Sequence, residues 1–373
     1  MHLCHLTINI IDFERRIFNQ IHSAIKSGYR VQVFASGRTG EKKTEERSGF
    51  SLYRVKTIFY RGGPFKFISI NIQLIFLLLT RKYDLIHCHD LWVLPAAACA
   101  SWFRRTPLIY DAHEYYAGLE IFRKKPLSKY LWLLAERLAI RQVDVLVTVS
   151  ERLGERFRDR YPNLKQIEII RNLPRYEQAD PNAAHLLFRK NKTKLILYQG
   201  HFKPGRGLEN LIRAVGITAK VQLILIGNGE LEPILKKIVK TEHLEDRVFF
   251  HKFIPTAELI SASAQGDIGA VLFEPNSLNY AAALPNKFFE YIMAGLPVLT
   301  SNIETFTYYV NKYDLGLTVD PTDIKAIGRT IEKMISDENQ LKKWRMNTLQ
   351  AAKELHWGND EKKLIQIYTQ FKE

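Results

Sequence analysis

The 373-residue sequence contains little cysteine and no spacing typical of a metal site. Its three cysteines, Cys4, Cys88 and Cys99, have neither a pairing pattern nor the separation of zinc ligands. This scarcity argues against a disulfide-stabilised secreted domain and favours a reducing compartment. The N-terminus also lacks a basic leader followed by an apolar core, so we predict no signal peptide and a cytoplasmic protein.

The sequence also lacks an apolar run long enough to cross a membrane. Its most apolar stretch, residues 65–79, contains Lys66, Asn71 and Gln73. It falls short of the ~20 apolar residues that a spanning helix needs. Two interpretations remain open: a buried helix packed on a sheet, which we favour, and an amphipathic helix lying in a membrane interface.

Acidic residues are scarce in the first half of the chain. Residues 1–175 contain 29 Lys and Arg against 16 Asp and Glu, a net charge of +13, whereas residues 176–373 contain 25 against 23, a net charge of +2. Such a basic surface attracts polyanions. The sequence has no RNA-binding signature, so we predict no nucleic-acid partner and an anionic surface, the inner membrane face, as a partner instead.

Short apolar segments alternate with amphipathic segments along both halves. From Lys194 onward, KLILYQG, VQLILIG, RVFFHKF and IGAVLFE predict strands, and RVQVFAS, DLIHCHD, PLIYDAHE and VDVLVTVS predict strands in the first half. Strands that are apolar on both faces indicate parallel sheets covered by helices. We therefore predict an α/β fold with two Rossmann-like, doubly wound domains, residues 1–172 and 193–350, joined by a linker over residues 173–192. The active site is expected in the cleft between them.

A short helix in the second half carries a carboxylate near its positive end. Pro285-Asn286 interrupts the preceding chain, Asn286 is the predicted N-cap, and Gly295 with Pro297 ends the helix. The free N–H groups at that end favour a diphosphate, and Glu290 can accept hydrogen bonds from two ribose hydroxyls. On this pattern alone, the plainer interpretation of an acidic residue near a helix start is favoured.

The segment LPNKFFEYIMAGLPVLTS, together with those described next, resembles the nucleotide-binding segment of glycosyltransferase family 4. This family contains retaining enzymes of the GT-B architecture. The resemblance implies that Glu290 binds the ribose and that the C-terminal segment, residues 351–373, crosses back to the first domain. Many members have a second glutamate eight residues earlier that faces the donor sugar. Here that position is Ala282, and the backbone of residues 280–283 is a candidate for the contact.

The segment YQGHFKPGRG provides groups for a departing diphosphate, which a metal-free site must stabilise with cations and backbone donors. It resembles the family's Gly-Arg-x4-Lys-Gly loop, with Gly200 matching, His201 at the usual arginine, Arg206 at the usual lysine and Gly207 opening the helix. We predict Arg206 as the main phosphate ligand, since a guanidinium can bind two oxygens at once. The alternative is a solvated loop charge. Gly227 would let backbone approach the nucleotide closely, and Lys287 is a further predicted donor contact. The resemblance also implies backbone contacts from Lys252 and Phe253 to the base.

Histidines and carboxylates follow the strands of the first half. LIYDAHEYY resembles the family's Asp-x-His-Glu segment, which implies that His113 lies against the donor sugar and joins Arg206 and Glu290 as a catalytic residue. IHCHDLW places His87 and His89 on one face of a strand, as in a metal pair, but no third ligand stands at zinc spacing. We predict a hydrogen-bonded wall of the acceptor cleft and no metal. The predicted acceptor-cleft residues are Asp12, Glu14, Arg16, His87, His89, Asp90, Asp111 and Glu114.

Together these features predict a retaining, metal-independent glycosyltransferase. The resemblance implies transfer of a hexose-type sugar from a nucleoside diphosphate sugar, UDP favoured over GDP, to a glycan or lipid-linked glycan in cell-surface polysaccharide synthesis. The nucleotide sugar is a co-substrate, and no other cofactor is expected. Two alternatives remain open: a nucleotide-sugar epimerase, and a non-catalytic protein that binds membrane surfaces or polyanions, suggested by the basic first half and by Ala282.

Overall fold

A computed structural model describes most of the chain. The described residues are 1–11, 14–38, 40–56, 64–119, 122, 125–180, 187, 193–275, 278–282 and 284–372. They divide into two compact units: residues 1–171 with 360–373, and residues 172–359. The predicted linker, residues 173–192, is described only in part. Where it is described, up to residue 180, it has no regular secondary structure.

The first unit is built on a mainly parallel sheet. Its strands within the described residues are β1 (His2–Leu6), β2 (Arg30–Gly37), β3 (Thr44–Arg47), β4 (Phe50–Lys56), β5 (Leu85–His89), β6 (Leu108–Ala112), β7 (Val145–Thr148) and β8 (Ile167–Ile169). They are ordered β3-β4-β2-β1-β5-β6-β7-β8, with β3 and β4 antiparallel. The helices of this unit are α1 (Arg15–Lys26), α2 (Pro64–Thr80), α3 (Leu94–Arg104), α4 (Pro126–Ala139) and α5 (Glu151–Arg160).

The second unit is built on a fully parallel sheet of described strands. These are β9 (Lys194–Gln199), β10 (Val221–Ile226), β11 (Val248–His251), β12 (Ile268–Val271), β13 (Val298–Ser301) and β14 (Gly316–Val319), in the order β11-β10-β9-β12-β13-β14. The helices of this unit are α6 (Leu208–Ile217), α7 (Glu232–Thr241), α8 (Thr256–Ser263), α9 (Leu278–Ala281), α10 (Asn286–Met293), α11 (Glu304–Tyr313), α12 (Ile324–Ser336) and α13 (Glu338–Ala352). The last described helix, α14 (Trp357–Thr369), begins here, but most of it belongs to the first unit.

Burial of the strands explains their composition. Every residue of β5, β6, β10 and β12 is buried, because the unit's helices cover the sheet. Strands of this kind favour apolar side chains on both faces. His87 and His89 of β5 and Asp111 of β6 are buried polar exceptions near the strand ends. The prediction of two α/β units with parallel, doubly wound sheets is therefore confirmed.

The C-terminal end of the chain belongs to the first unit. The carboxylate of Asp360 accepts hydrogen bonds from the backbone N–H of Arg171 at 2.7 Å and from its guanidinium at 2.6 Å. Farther along α14, the Tyr368 hydroxyl lies 2.7 Å from Nδ1 of His87. These buried polar contacts hold residues that are distant in sequence in one core.

The start of α10 differs from the sequence prediction. The helix begins at Asn286 and its N-cap is Pro285, so no N-cap side chain accepts a hydrogen bond from the backbone N–H groups of the first turn. Asn286 is therefore the first helical residue, and its predicted capping role is wrong. The backbone N–H groups of this end are left for other acceptors. Glu290 is the fifth residue of the helix, still close to that end.

The apolar stretch over residues 65–79 forms α2, which has two apolar sides. Ile70, Leu74 and Leu78 are fully buried in the core of the first unit, as the favoured interpretation requires. Phe65 and Phe76, by contrast, are 67% and 69% exposed. Among the described residues, no helix combines the length and apolarity needed to cross a bilayer.

Candidate active site

Hydrogen bonds from β9 fix the carboxylate of Glu290 in the second unit. Nε2 of Gln199 donates to Oε2 of Glu290 at 2.6 Å, and the Ser263 hydroxyl donates to Oε1 of Gln199 at 2.8 Å. All three side chains are buried, so this chain of bonds is shielded from competing water. The carboxylate is held in one orientation, as recognition of a vicinal diol requires.

Two cations of the same unit rest on aromatic rings. Cζ of Arg206 lies 4.0 Å from the centroid of Phe273 and 5.1 Å from that of Tyr280, and Nζ of Lys287 lies 3.5 Å from the centroid of Tyr198. Nε of Arg206 is buried and has no hydrogen-bond partner among the described residues. Cation–π contacts orient the two cations without using their N–H donors, which stay suited to an anion.

The environment of Lys287 disfavours its own positive charge. Burial lowers the pKa of this ammonium well below its ordinary value, and the nearby charge of Arg206 lowers it further, while Glu290 opposes the shift. Burying a cation beside another cation is unfavourable unless an anion compensates. The pair formed by Arg206 and Lys287 is therefore electrostatically prepared for an anionic ligand.

Glycines allow the loops around these cations to approach closely. Gly207 has φ +64°, and a Cβ there would lie 2.3 Å from the carbonyl oxygen of Leu272. Gly227 has φ +140°, and its Cβ would lie 2.1 Å from the carbonyl oxygen of Gly200. A Cβ on Gly200 would in turn lie 3.3 Å from Nζ of Lys287. Only glycine fits the first two positions, which places backbone beside the cations.

An exposed rim completes the predicted donor residues. The ring of His201 lies 5.3 Å from that of Phe253, edge to face, and Phe253 is 48% exposed. Lys252 is exposed next to it, and its carbonyl oxygen lies 2.8 Å from Nδ1 of His251. The structure thus brings the donor residues predicted from sequence into one region of the second unit, with aromatic surface at its edge.

In the first unit, Arg16 of α1 and Asp111, near the end of β6, form a buried ion pair. Nη2 of Arg16 donates to Oδ1 of Asp111 at 2.7 Å, and Nε donates to Oδ2 at 3.1 Å. Gln20 adds a bond to Oδ2 at 2.8 Å, and Nη1 of Arg16 donates to the carbonyl oxygen of Ile170 at 2.7 Å. Burial alone would raise the pKa of Asp111, but Arg16 and neighbouring histidines outweigh it and hold the pKa well below its ordinary value.

Three histidines form a stack above this ion pair. The ring centroids of His5, His87 and His89 lie 4.5 to 5.2 Å apart, and Nδ1 of His5 is 2.9 Å from Nε2 of His89. All three side chains are fully buried. Burial lowers the pKa of each, that of His89 to about 3, so the stack is neutral near pH 7.

The same histidines are the groups in the described structure that could hold a metal. Donor atoms of His5, His87 and His89, and those of His89, Asp111 and His113, lie within 4.8 Å of one another. Imidazole and carboxylate are zinc ligands, but Asp111 is already bound by Arg16, and a cation there would lie beside a buried guanidinium. We interpret the cluster as a hydrogen-bonded stack, and a metal-free site stays a prediction.

The depth of this cluster corrects part of the predicted acceptor cleft. Arg16 is 4% exposed, and His87, His89 and Asp111 are 0% exposed, so these four side chains lie beneath the surface instead of lining it. Strand alternation indicates which face a side chain is on but not how thickly that face is covered. Of the other predicted acceptor residues, Glu14 and Glu114 reach solvent, whereas Asp90 is buried at 8% exposure. Asp12 lies outside the described residues.

His113 is partly exposed and also lies close to the buried pair formed by Arg16 and Asp111. Its Nδ1 is 3.3 Å from Oδ1 of Asp90, its Nε2 is 3.6 Å from Oδ2 of Asp111, and its side chain is 18% exposed. Burial opposes protonation of His113, but the two carboxylates outweigh it and raise the pKa. Burial also raises the pKa of Glu14, an effect that His113 opposes. His113 can therefore carry a positive charge near neutral pH.

The backbone of Asp90 is strained. This residue has φ +69° and ψ 159°, a conformation that residues other than glycine rarely adopt. Its carboxylate accepts a hydrogen bond from the Tyr116 hydroxyl and faces His113. Strained residues that the surrounding structure holds in place are typical of functional sites.

Several residues of the site were missed in the sequence. These are Gln199, Ser263, Tyr198, Phe273 and Tyr280 in the second unit, and His5, Gln20 and Tyr116 in the first. Gln199 ends a parallel strand and Phe273 closely follows another, which is where ligands collect in such sheets. The positions of Gln199 and Phe273 at strand ends could have identified them from sequence, whereas no sequence pattern pointed to Ser263 or Tyr116.

Family models match both units. Residues 13–173 match the model described as Glycosyltransferase Family 4, and residues 185–351 match that described as Glycosyl transferases group 1. The uncharacterized glycosyltransferase MJ1607 of Methanocaldococcus jannaschii is 23% identical over 366 residues, which cover 92% of this chain and 90% of that protein.

Solved structures share the fold. Sucrose-phosphate synthase from Thermosynechococcus elongatus superposes with a TM-score of 0.80 at 17% identity, covering 99% of this chain and 98% of that one. Anabaena Alr3699/HepE in complex with UDP superposes with a TM-score of 0.79 at 15% identity, covering 99% and 100%. At such identities the likeness shows the fold alone, and it confirms the predicted GT-B architecture.

Proposed function

This chain belongs to the group 1 glycosyltransferases of family 4, and from that premise we propose that it is a retaining, metal-independent hexosyltransferase. Its donor is a nucleoside diphosphate sugar. The observation that carries this proposal is the pair of cations, Arg206 and Lys287, on aromatic rings beside the anchored carboxylate of Glu290. The cations fit a diphosphate, and the carboxylate fits the ribose diol.

UDP is the nucleotide we favour over GDP and ADP. Alr3699/HepE, which shares the fold, has been solved with UDP and with UDP-glucose. Phe253 and His201 provide an exposed aromatic surface beside the cations, suited to the base. Backbone groups of neighbouring Lys252 would then select among bases.

In the proposed reaction, the bond between the anomeric carbon and the diphosphate oxygen breaks. A bond to the acceptor oxygen forms on the same face of the sugar, and the acceptor's proton passes to a phosphate oxygen of the leaving group. Arg206 and Lys287, together with the N–H groups at the start of α10, would stabilise the developing negative charge. Nε2–H of a charged His113 would be directed at Asp111, and Nδ1–H would be shared between Asp90 and a hydroxyl of the donor sugar.

The acceptor we propose is a glycan or lipid-linked glycan of a cell-surface polysaccharide. Glu14 and Glu114 of the first unit reach solvent and offer carboxylates that can accept hydrogen bonds from sugar hydroxyls. We place the reaction in the cytoplasm at the inner membrane face, because cysteine is scarce in the sequence and the first half is basic.

Nucleotide binding is the direct test of the donor site. Purified protein in EDTA should be stabilised by UDP more than by GDP or ADP, and saturation to about 100 times Kd adds about 2.7 kcal/mol. The Glu290→Gln variant should lose most of this stabilisation and its turnover while keeping its fold. The matched control is Glu258→Gln, an exposed acid in the first turn of α8, which should behave as wild type.

Product analysis separates transfer from epimerisation. Incubation with a UDP-sugar and an acceptor glycan should release UDP and lengthen the glycan. Formation of an altered UDP-sugar without any acceptor would contradict the proposal and indicate an epimerase. Failure of every nucleotide to stabilise the protein would contradict the donor site itself.

A further inference from the structure

One side of α2 presents apolar side chains to solvent. Phe65, Ile68, Ile72, Phe76 and Leu79 are 67%, 54%, 62%, 69% and 41% exposed. Their spacing of three, four, four and three residues places them in one stripe along the helix. The opposite side of α2 is in the core of the first unit, so the stripe is a surface feature of a well-packed helix.

A second stripe of the same kind lies on α4. Leu127, Tyr130, Leu131, Leu134 and Leu138 are 71%, 64%, 54%, 40% and 55% exposed. They follow the spacing of one helix face, with intervals of three, one, three and four residues.

The two stripes belong to one continuous layer. Helix α3 packs against both α2 and α4, and its last turn adds Trp102 and Phe103, which are 63% and 62% exposed. At the other end, the ring of Phe67 on α2 lies 5.2 Å from that of Trp132 on α4. Of the 19 large apolar side chains exposed among the described residues, 12 lie on these three helices, so the exposure is concentrated and not scattered.

Every charged side chain of the three helices that reaches solvent is positive. Arg137 is exposed, Lys66, Arg104 and Lys129 are half-buried, and the one acid, Glu136, is 1% exposed. Glu136 is bound by the hydroxyls of two buried tyrosines and does not reach the surface. An apolar face with cations and without accessible acids complements a surface that is apolar inside and anionic outside.

We propose that the outer face of α2, α3 and α4 docks this protein on the surface of an anionic lipid bilayer. The apolar stripes enter the boundary between headgroups and acyl chains, and the cations pair with lipid phosphates. Because the cations of two copies would repel each other, the charge favours a bilayer over a second copy of this chain as the occupant. The inference concerns the first unit alone and holds whatever sugar is transferred.

Vesicle binding tests the proposal. The full chain should co-sediment with vesicles of equal parts phosphatidylglycerol and phosphatidylcholine, and more weakly with phosphatidylcholine alone or at raised salt, since each cation near an anionic surface contributes about fivefold in affinity. The Ile72→Glu/Phe76→Glu variant changes two exposed side chains and should bind at least about tenfold more weakly. The matched control is Ile234→Glu/Met346→Glu, at residues that are 50% and 71% exposed in the second unit, and it should bind as wild type.

Three results would overturn the proposal. The first is absence of wild-type binding to anionic vesicles, and the second is equal binding by wild type and the Ile72→Glu/Phe76→Glu variant. The third is a wild-type dimer in sedimentation velocity that this variant dissolves, without vesicle binding, which would assign the face to a second copy. Circular dichroism and UDP-induced stabilisation should match wild type in the variant. A loss of UDP response in the wild type would concern the donor site and leave the vesicle result valid.

Discussion

The two units differ in what their basic side chains at the strand ends contact. In the first unit, the guanidinium of Arg16 is bound in two places by Asp111, and both are buried. In the second unit, Arg206 and Lys287 contact aromatic rings, and neither forms an ion pair with a carboxylate among the described residues. One cluster is neutralised within the chain, whereas the other has two basic side chains that no carboxylate among the described residues pairs with directly.

This difference indicates that the first cluster contributes to folding stability, whereas the second is suited to binding a ligand. A buried, paired charge is costly to break but offers little to a ligand. A cation held by ring faces is oriented yet keeps its donors for an incoming anion. We therefore expect substitutions in the first cluster to affect unfolding and those in the second to affect nucleotide binding.

Removal of Asp111 should break the first cluster with the largest effect. Asp111→Ala leaves a buried guanidinium unpaired and should lower the free energy of unfolding by about 3–5 kcal/mol, measured by denaturant titration. Asp159→Ala, at an exposed position of α5, is the control and should change it by less than about 0.5 kcal/mol. The double variant Arg16→Met/Asp111→Leu removes both charges and should be more stable than Asp111→Ala; a less stable double variant would contradict the pairing.

Acid should weaken the first unit through its histidine stack. The folded pKa values of His5, His87 and His89 lie below the unfolded value near 6.5, so stability falls as pH drops below about 6.5. His5 and His89, whose pKa values are lowered most, should each contribute about 1 kcal/mol to this loss at pH 5.5. The raised pKa of His113 acts in the opposite sense: its contribution is present below about 6.5 and is lost as pH rises through the folded value.

The measurement is the free energy of unfolding at pH 7.5 and pH 5.5. His5→Phe keeps a ring in the stack but cannot titrate, so its loss between the two pH values should be about 1 kcal/mol smaller than that of wild type. Trp102→Phe, at a non-titrating ring of the same unit that is 63% exposed, should not change the loss. If the free energy of unfolding falls between pH 7.5 and pH 5.5 by the same amount in His5→Phe as in wild type, His5 is not held neutral in the stack.

Removal of Arg206 should affect binding and leave the fold. Arg206→Ala should weaken UDP binding by about 10- to 100-fold in calorimetry, the equivalent of a charged hydrogen bond worth about 1.5–3 kcal/mol, with an unchanged unfolding midpoint. Arg206→Lys keeps the charge and should recover most of the affinity. The control is Lys203→Ala, an exposed cation of the same loop, and an equal loss there would indicate a diffuse basic surface instead of a defined ligand.

Removal of an aromatic ring next to Arg206 should have the smallest of these effects on UDP binding. Tyr280→Leu removes one of the two rings next to the guanidinium and should weaken UDP binding by about two- to fivefold, from a contact worth about 0.5–1 kcal/mol. Tyr308→Leu, at a residue that is 54% exposed on α11, is the control. If Tyr280→Leu has no effect, the ring does not orient the cation.

Much of this organisation follows from local sequence. Apolar segments of strand length between amphipathic helices predicted both sheets. The loop after β9 contains Arg206, and the first turns of α10 contain Lys287 and Glu290, which the structure brings together. These features depend on residue type and on short spacing, because strand alternation, helix periodicity and glycine conformations act over a few residues.

Tertiary structure decided which of the predicted residues are accessible and what each one contacts. Gln199 binds Glu290 across 91 residues of sequence, and Tyr368 reaches His87 across 281. Burial of Arg16, His87, His89 and Asp111 likewise depends on segments far along the chain. The alternation of a strand determines the face on which a side chain lies, but only the packing of distant elements determines whether that face is open to a ligand or closed within the core.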